Sequence, residues 1–143
     1  MLTLDVQPVH SEETLAFYQS AGMDAELLER RRTERPFNFA DVVAPLPAGY
    51  TRIQQDQSIE MGGRTWDIHI GNGHAPEHAT FWSRDDHLVL AGDQILPSIS
   101  PNIGVYANEP MADPIGEWLE ACERLAGLAR GDHLVLGGHK LPF

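Results

Sequence analysis

Three stretches of this chain end an apolar run with a glycine and then a side chain of metal-binding type. Trp66, Ile68 and Ile70 alternate with Thr65, Asp67 and His69, and lead through Gly71-Asn72-Gly73 to His74, with Ala75, Pro76, Glu77 and His78 beyond. A second run, His87 to Ala91, ends in Gly92-Asp93. A third, Leu134-Val135-Leu136, runs into Gly137-Gly138-His139. Imidazole and carboxylate are both ligands for zinc and iron. A strand fixes the backbone and a short Gly-rich turn aims the ligand, which is how sheet-borne metal sites are built. His74, Asp93 and His139 are therefore read together as candidate metal ligands. Two His and one Asp suffice for one metal with an open position, and such a metal activates water.

The other titratable side chains read differently. His69 falls on the polar side of its strand, His87 and His133 each open a strand beside an aspartate, and His10 stands alone before Ser11-Glu12-Glu13. These four are expected to be structural or surface residues. Glu77 and His78 are expected to support the ligands, because a metal-bound imidazole needs an acceptor for its other ring nitrogen. Cys122 falls on an apolar helix face and reads as a small buried hydrophobe.

The elements that must hold these residues can be placed along the chain. Ser11 caps a first helix, followed by two acids that suit the positive helix end; Leu15, Phe17 and Tyr18 form its inner face and Ala21-Gly22 interrupt it. Asp24 caps a second helix that runs through Leu27 and Leu28 to Arg30-Arg31-Arg32. Cations suit the C-terminal end of a helix, so this arginine run reads as a charged helix end and not as an anion site. From Arg35-Pro36 to Ala48-Gly49 the chain is punctuated by Pro36, Pro45 and Pro47 and reads as a loop. Phe37, Phe39, Val42 and Val43 make it apolar enough to pack, as a lid over a site would.

Tyr50 to Gln54 and Gln57 to Met61 are short strand candidates, with a hairpin at Gly62-Gly63. Ala79 to Ser83 and His87 to Ala91 form another hairpin around Arg84-Asp85-Asp86. The irregular stretch from Pro97 to Asn102 follows Asp93 and should border the site. Asp113-Pro114 starts a helix. Its expected apolar face is Ile115, Trp118, Leu119, Cys122, Leu125 and Leu128-Ala129, with an end at Gly131-Asp132.

Composition narrows the function classes. The formal charge of −11 on 143 residues argues against nucleic acid and against an anionic membrane surface. One cysteine permits no internal disulfide and fits a reducing, cytoplasmic setting. No apolar run approaches the ~20 residues of a membrane span, and the first ten residues lack the basic start and apolar core of a signal peptide.

Taken in order, Gly73-His74-Ala75-Pro76-Glu77-His78, then Gly92-Asp93, then an apolar strand into Gly138-His139, resemble the C-terminal half of the metallo-β-lactamase-fold hydrolases. The resemblance covers Trp66 to Phe143. It implies an α/β fold, part of an αββα sandwich. It makes His74 a ligand of one metal, His139 a ligand of a second, and Asp93 the bridging and catalytic carboxylate. It further implies two zinc ions in the intact protein, with iron or manganese as alternatives, and hydrolysis of an ester, thioester, lactone or amide in a small-molecule substrate.

Gly71-Asn72-Gly73 stands where the family has Thr-Pro-Gly, and Gly137-Gly138 where it has Pro-Gly. The family's His-x-His-x-Asp-His signature, source of four ligands, is absent from the chain. The chain is accordingly expected to be one partial domain over residues 1–143: a helical or lid segment over 1–49, then the C-terminal half of the sandwich over 50–143. Such a piece should leave an apolar sheet face and an unpaired strand edge, and so form a homo-oligomer with little activity of its own. A non-catalytic binding or assembly module and a single-iron oxygenase are the alternative readings.

Overall fold

The computed structural model describes residues 9–38, 41–44, 47 and 49–143. Most of the chain's opening residues, together with Phe39 and Pro45 of the proline-punctuated stretch, lie outside them. The chain falls into two compact units, Met1–Thr51 with Tyr106–Met111, and Arg52–Val105 with Ala112–Phe143.

Among the described residues, the first unit holds two helices. Helix α1 (Glu12–Ser20) is capped by Ser11, whose hydroxyl accepts from the Thr14 amide at 3.2 Å. Leu15 is its buried residue, and His10 sits edge-on to Tyr18 with ring centroids 5.8 Å apart. Helix α2 (Ala25–Thr33) is capped by the Asp24 carboxylate, which accepts from the Leu27 amide at 2.8 Å. Its arginines all meet acids: Arg30 and Arg31 reach Glu34 at 2.9 and 3.5 Å, and Arg32 reaches Glu12 at 3.2 Å and Glu29 at 3.4 Å. The arginine run is thus a set of ion pairs on a helix end. In the following loop Phe37, Val42 and Val43 are exposed, against the expectation that they pack; an Arg35–Asp41 ion pair at 2.8 Å spans this segment instead.

The second unit is a five-stranded sheet with one helix. Strands β1 (Ser58–Met61), β2 (Arg64–Gly71), β3 (His78–Ser83) and β4 (Leu88–Gly92) follow one another as antiparallel neighbours, and β5 (Leu134–Gly137) lies parallel to β4. Parallel neighbours need a long crossover, and helix α3 (Pro114–Ala126) lies within it. Alternation along β3 and β4 puts Trp82, Val89 and Ala91 on one face, where Leu125 of α3 joins them with Ile95 and Val135 alongside. At the outer side of β5, Val135 and Phe143 exchange two backbone hydrogen bonds, of 2.7 and 3.2 Å.

Three further expectations are corrected. Tyr50 to Gln54 is not a strand. A turn at Gln55-Asp56, with Asp56 at φ 63°, breaks the run, and regular pairing begins only at Ser58. Helix α3 stops at Ala126, before Gly131: Gly127 is its C-cap, and the Leu128 amide tightens the last turn by donating to the Leu125 carbonyl at 3.0 Å. Its apolar arc is also wider than the stripe that packs. Pro114, Ala121 and Leu125 are buried, whereas Ile115 and Leu119 are 60% and 58% exposed, and Leu128 and Ala129 lie outside the helix. Among the described residues, no helix is long and apolar enough to cross a membrane.

Candidate metal centre

The three glycine-preceded side chains meet at one end of the sheet. His74 follows the end of β2, Asp93 follows β4, and His139 follows β5. The pairing of β4 with β5 shifts just before the site: Leu90 faces Leu136, but Gly92 faces Gly137. One extra residue on β4 re-aims the chain beyond it, and the first residue beyond the strand is Asp93.

Two glycines make the close approach possible. A Cβ on Gly138 would sit 2.2 Å from Asp93 Oδ1, and the Gly138 amide donates to the Gly92 carbonyl at 2.8 Å. Gly92 has φ 52°, and a Cβ there would lie 2.7 Å from the His78 ring. A side chain at Gly138 would displace the Asp93 carboxylate, and one at Gly92 would displace the His78 ring on a backbone held at positive φ.

Both imidazoles turn to the same carboxylate oxygen. His74 Nε2 lies 3.4 Å from Asp93 Oδ2, and His139 Nε2 lies 3.5 Å from it. His74 Nδ1 is 2.8 Å from the Asn102 carbonyl oxygen, which can only accept. Nδ1 therefore carries the proton, and in the neutral ring the Nε2 lone pair faces the carboxylate. Two acceptors facing each other call for a proton or a cation between them. Donors about 2.0–2.2 Å from a tetrahedral zinc stand about 3.3–3.5 Å from one another, so these separations suit ligands sharing an ion better than a hydrogen bond.

The set is open. His139 is exposed along 62% of its side chain, while His74 and Asp93 are half-buried. Among the described residues, no group of three or more His, Cys, Asp and Glu is arranged to hold a metal by itself. The trio offers two imidazole nitrogens and a carboxylate, donors of the type that zinc takes, at one end of the sheet.

His78 packs beside it. Its ring stands nearly perpendicular to His74, centroids 5.9 Å apart, and its buried Nε2 meets no hydrogen-bond partner among the described residues. Burial, with His74 adding to it, pushes the His78 pKa down, and Asp93 only partly opposes them. Glu77 is exposed, takes φ 53°, and donates its amide to Asn72 Oδ1 at 2.9 Å.

The remaining histidines lie elsewhere. His69 and His133 flank Trp82 edge-on, at 5.9 and 5.2 Å, and His87 pairs with Asp132 at 2.8 Å. Cys122, expected to be buried, is only half-buried, and burial pushes its thiol pKa up. The Pro97–Asn102 stretch does border the site, through the Asn102 carbonyl. Sequence reasoning did not single out Gln94, a buried polar residue beside Asp93. The only signal for it is an amide side chain placed directly before the apolar pair Ile95-Leu96.

Comparison with known proteins places the chain in a family. The model of the metallo-beta-lactamase superfamily matches residues 6–139. A beta-lactamase domain protein from Burkholderia ambifaria is 36% identical over 73% of this chain, with a TM-score of 0.67. The metallo-beta-lactamase family protein TTHA1429 from Thermus thermophilus is 28% identical over 92% of the chain, with a TM-score of 0.63. ETHE1 from Myxococcus xanthus, 13% identical over 66% of this chain and 39% of its own, shares the fold with a TM-score of 0.54. The chain spans 30% of the Burkholderia structure's length and 40% of the Thermus one's. No significant match is found among curated proteins. From the match over residues 6–139, the chain belongs to the metallo-beta-lactamase superfamily.

Proposed function

We propose that the protein carrying this chain is a metal-dependent hydrolase of small-molecule esters, thioesters, lactones or amides. The observation that carries the reading is the approach of His74 Nε2 and His139 Nε2 to one oxygen of Asp93. Zinc, or alternatively iron or manganese, would be held by His74, Asp93 and His139 together with donors from outside this set. Such a centre, when loaded, supplies a water of lowered pKa and polarises the substrate carbonyl.

The residues of the chain have distinct tasks. The Asn102 carbonyl holds the His74 Nδ1 proton, which keeps Nε2 turned toward Asp93. Asp93 places a negative charge between the two imidazoles, where cations would gather. His78, neutral and half-buried, fills the space over Gly92 and orients the His74 ring. His139 lies at the exposed side, where a substrate can approach.

The single cysteine and the acidic charge suit a cytoplasmic protein that binds neither nucleic acid nor membrane, and self-association is part of the same proposal. A second reading, a non-catalytic module of the same fold, draws on the lack of a closed metal-holding group among the described residues. Turnover decides between them. The full-length protein, loaded with zinc and offered a panel of esters, thioesters, lactones and amides, should hydrolyse at least one, and chelation should abolish it. Zinc-loaded protein inert toward the whole panel would favour the module.

A further inference from the structure

We propose that Gln94 is the positioning residue that sets the spacing between Asp93 and His74. This rests on the metal reading above. Gln94 is 1% exposed, and it is one of the two buried polar residues among those described. Burying an amide is costly unless it is tied to something. Its backbone amide closes the turn at Asp93 by donating to the Ala91 carbonyl at 3.1 Å. Its side chain crosses to the other loop, where Nε2 donates to the Asn72 carbonyl at a long 3.4 Å. Asn72 in turn accepts from the Glu77 amide and so braces the loop carrying His74 and His78. The path runs from the turn that bears Asp93, through Gln94 and Asn72, to both sides of His74.

Packing makes the crossing tight. A Cβ on Gly71 would lie 2.2 Å from Gln94 Cδ and 2.3 Å from Oε1. The side chain therefore lies flat against the backbone at the end of β2. Gln94 Oε1 is buried and meets no donor among the described residues. The Nε2 contact with Asn72 and the close fit against Gly71 are what tie the two ligand-bearing turns together.

The test uses the full-length protein and zinc as the probe, with affinity read by competition against a chromophoric chelator. Gln94→Met keeps the volume and loses the amide. It should weaken zinc about 10- to 100-fold, the range seen when groups that orient metal ligands are lost, while the urea midpoint of the zinc-free protein stays close to wild type. A second, metal-independent arm checks the contact. Gly71→Ala should lower the urea midpoint in the wild-type background and much less in a Gln94→Ala background, where room has opened.

Wild-type zinc affinity in Gln94→Met, alongside loss in His74→Ala, overturns the brace alone. Unchanged affinity in both overturns the metal reading and the brace with it. Affinity that falls only in step with the folded fraction makes Gln94 a packing residue and overturns the positioning role. So does an equal cost of Gly71→Ala in both backgrounds.

Discussion

The two ends of the β4–β5 pair carry the same residue types and differ in what surrounds them. At the C-terminal ends stand His74, His139 and Asp93; at the N-terminal ends, ~15 Å away along the strands, stand His87, His133 and Asp132. Asp93 Oδ2 is faced by two imidazole nitrogens. Asp132 is faced by His87 at 2.8 Å and also by the Arg130 guanidinium at 3.2 Å. Arg130 comes within 2.8 Å of His87 Nδ1 as well, and its backbone amide donates to His133 Nδ1 at 3.2 Å. A fixed cation already answers the carboxylate there, and ring nitrogens that would serve a metal are engaged. Two histidines and an aspartate do not by themselves make a metal site: at one end an arginine completes the group, and at the other a second imidazole does.

Removing the carboxylate should separate the two ends most sharply. Asp93→Asn is expected to weaken metal binding by more than the ~100-fold that outer groups command, and to do more harm than loss of either histidine. An amide bridges poorly and leaves like charges facing each other. Asp132→Asn should leave metal content unchanged. Two metals and normal turnover in Asp93→Asn would remove the bridging role.

The glycines sharpen the comparison. Gly138→Ala would set a methyl 2.2 Å from Asp93 Oδ1, whereas a methyl on Gly131 meets nothing within 4 Å. The first change should destabilise by about 1–3 kcal/mol, as overpacking does, and should release metal. The second should stay within about 0.5 kcal/mol of wild type and hold its metal. Urea melts with metal analysis of both variants check this, and equal behaviour would mean that the strand ends are looser than described.

The smallest effect is at the N-terminal ends. Burial, then the charge of Arg130, pushes the His133 pKa down, with Asp132 opposing them. The folded state therefore takes up a proton less readily than the unfolded one, so stability present above about pH 6.5 is lost as pH falls through the lowered pKa. His133→Gln should show a smaller drop in urea midpoint between pH 7 and pH 5 than wild type. His78 is shifted in the same direction, so part of the drop should remain. An identical drop in both proteins would assign it to other groups.

Much of this architecture could be read from local signals. Ser11, Asp24 and Asp113 cap helices because a short polar side chain can reach the first free amides. Glycine ahead of His74, Asp93 and His139 marked the strand ends where the three gather. The orientation of α3 was not legible. Ile115 and Leu119 are as apolar as Leu125, and periodicity defines an arc without saying which part of it meets the sheet. Nor was the Asn102 contact legible residue by residue, because a backbone carbonyl leaves no mark in the side-chain sequence. Gln94 was missed for a related reason: its role depends on the absence of a side chain at Gly71, remote in sequence.

The central claim, that His74, Asp93 and His139 hold metal while the matching trio does not, is tested most directly by the metal content of the purified full-length protein. Elemental analysis of wild type, His74→Ala, His139→Ala and His87→Ala should find divalent metal in wild type, zinc first of all. It should find a clear loss in the His74 and His139 variants and a wild-type value in His87→Ala. Equal metal in all four proteins would contradict the account.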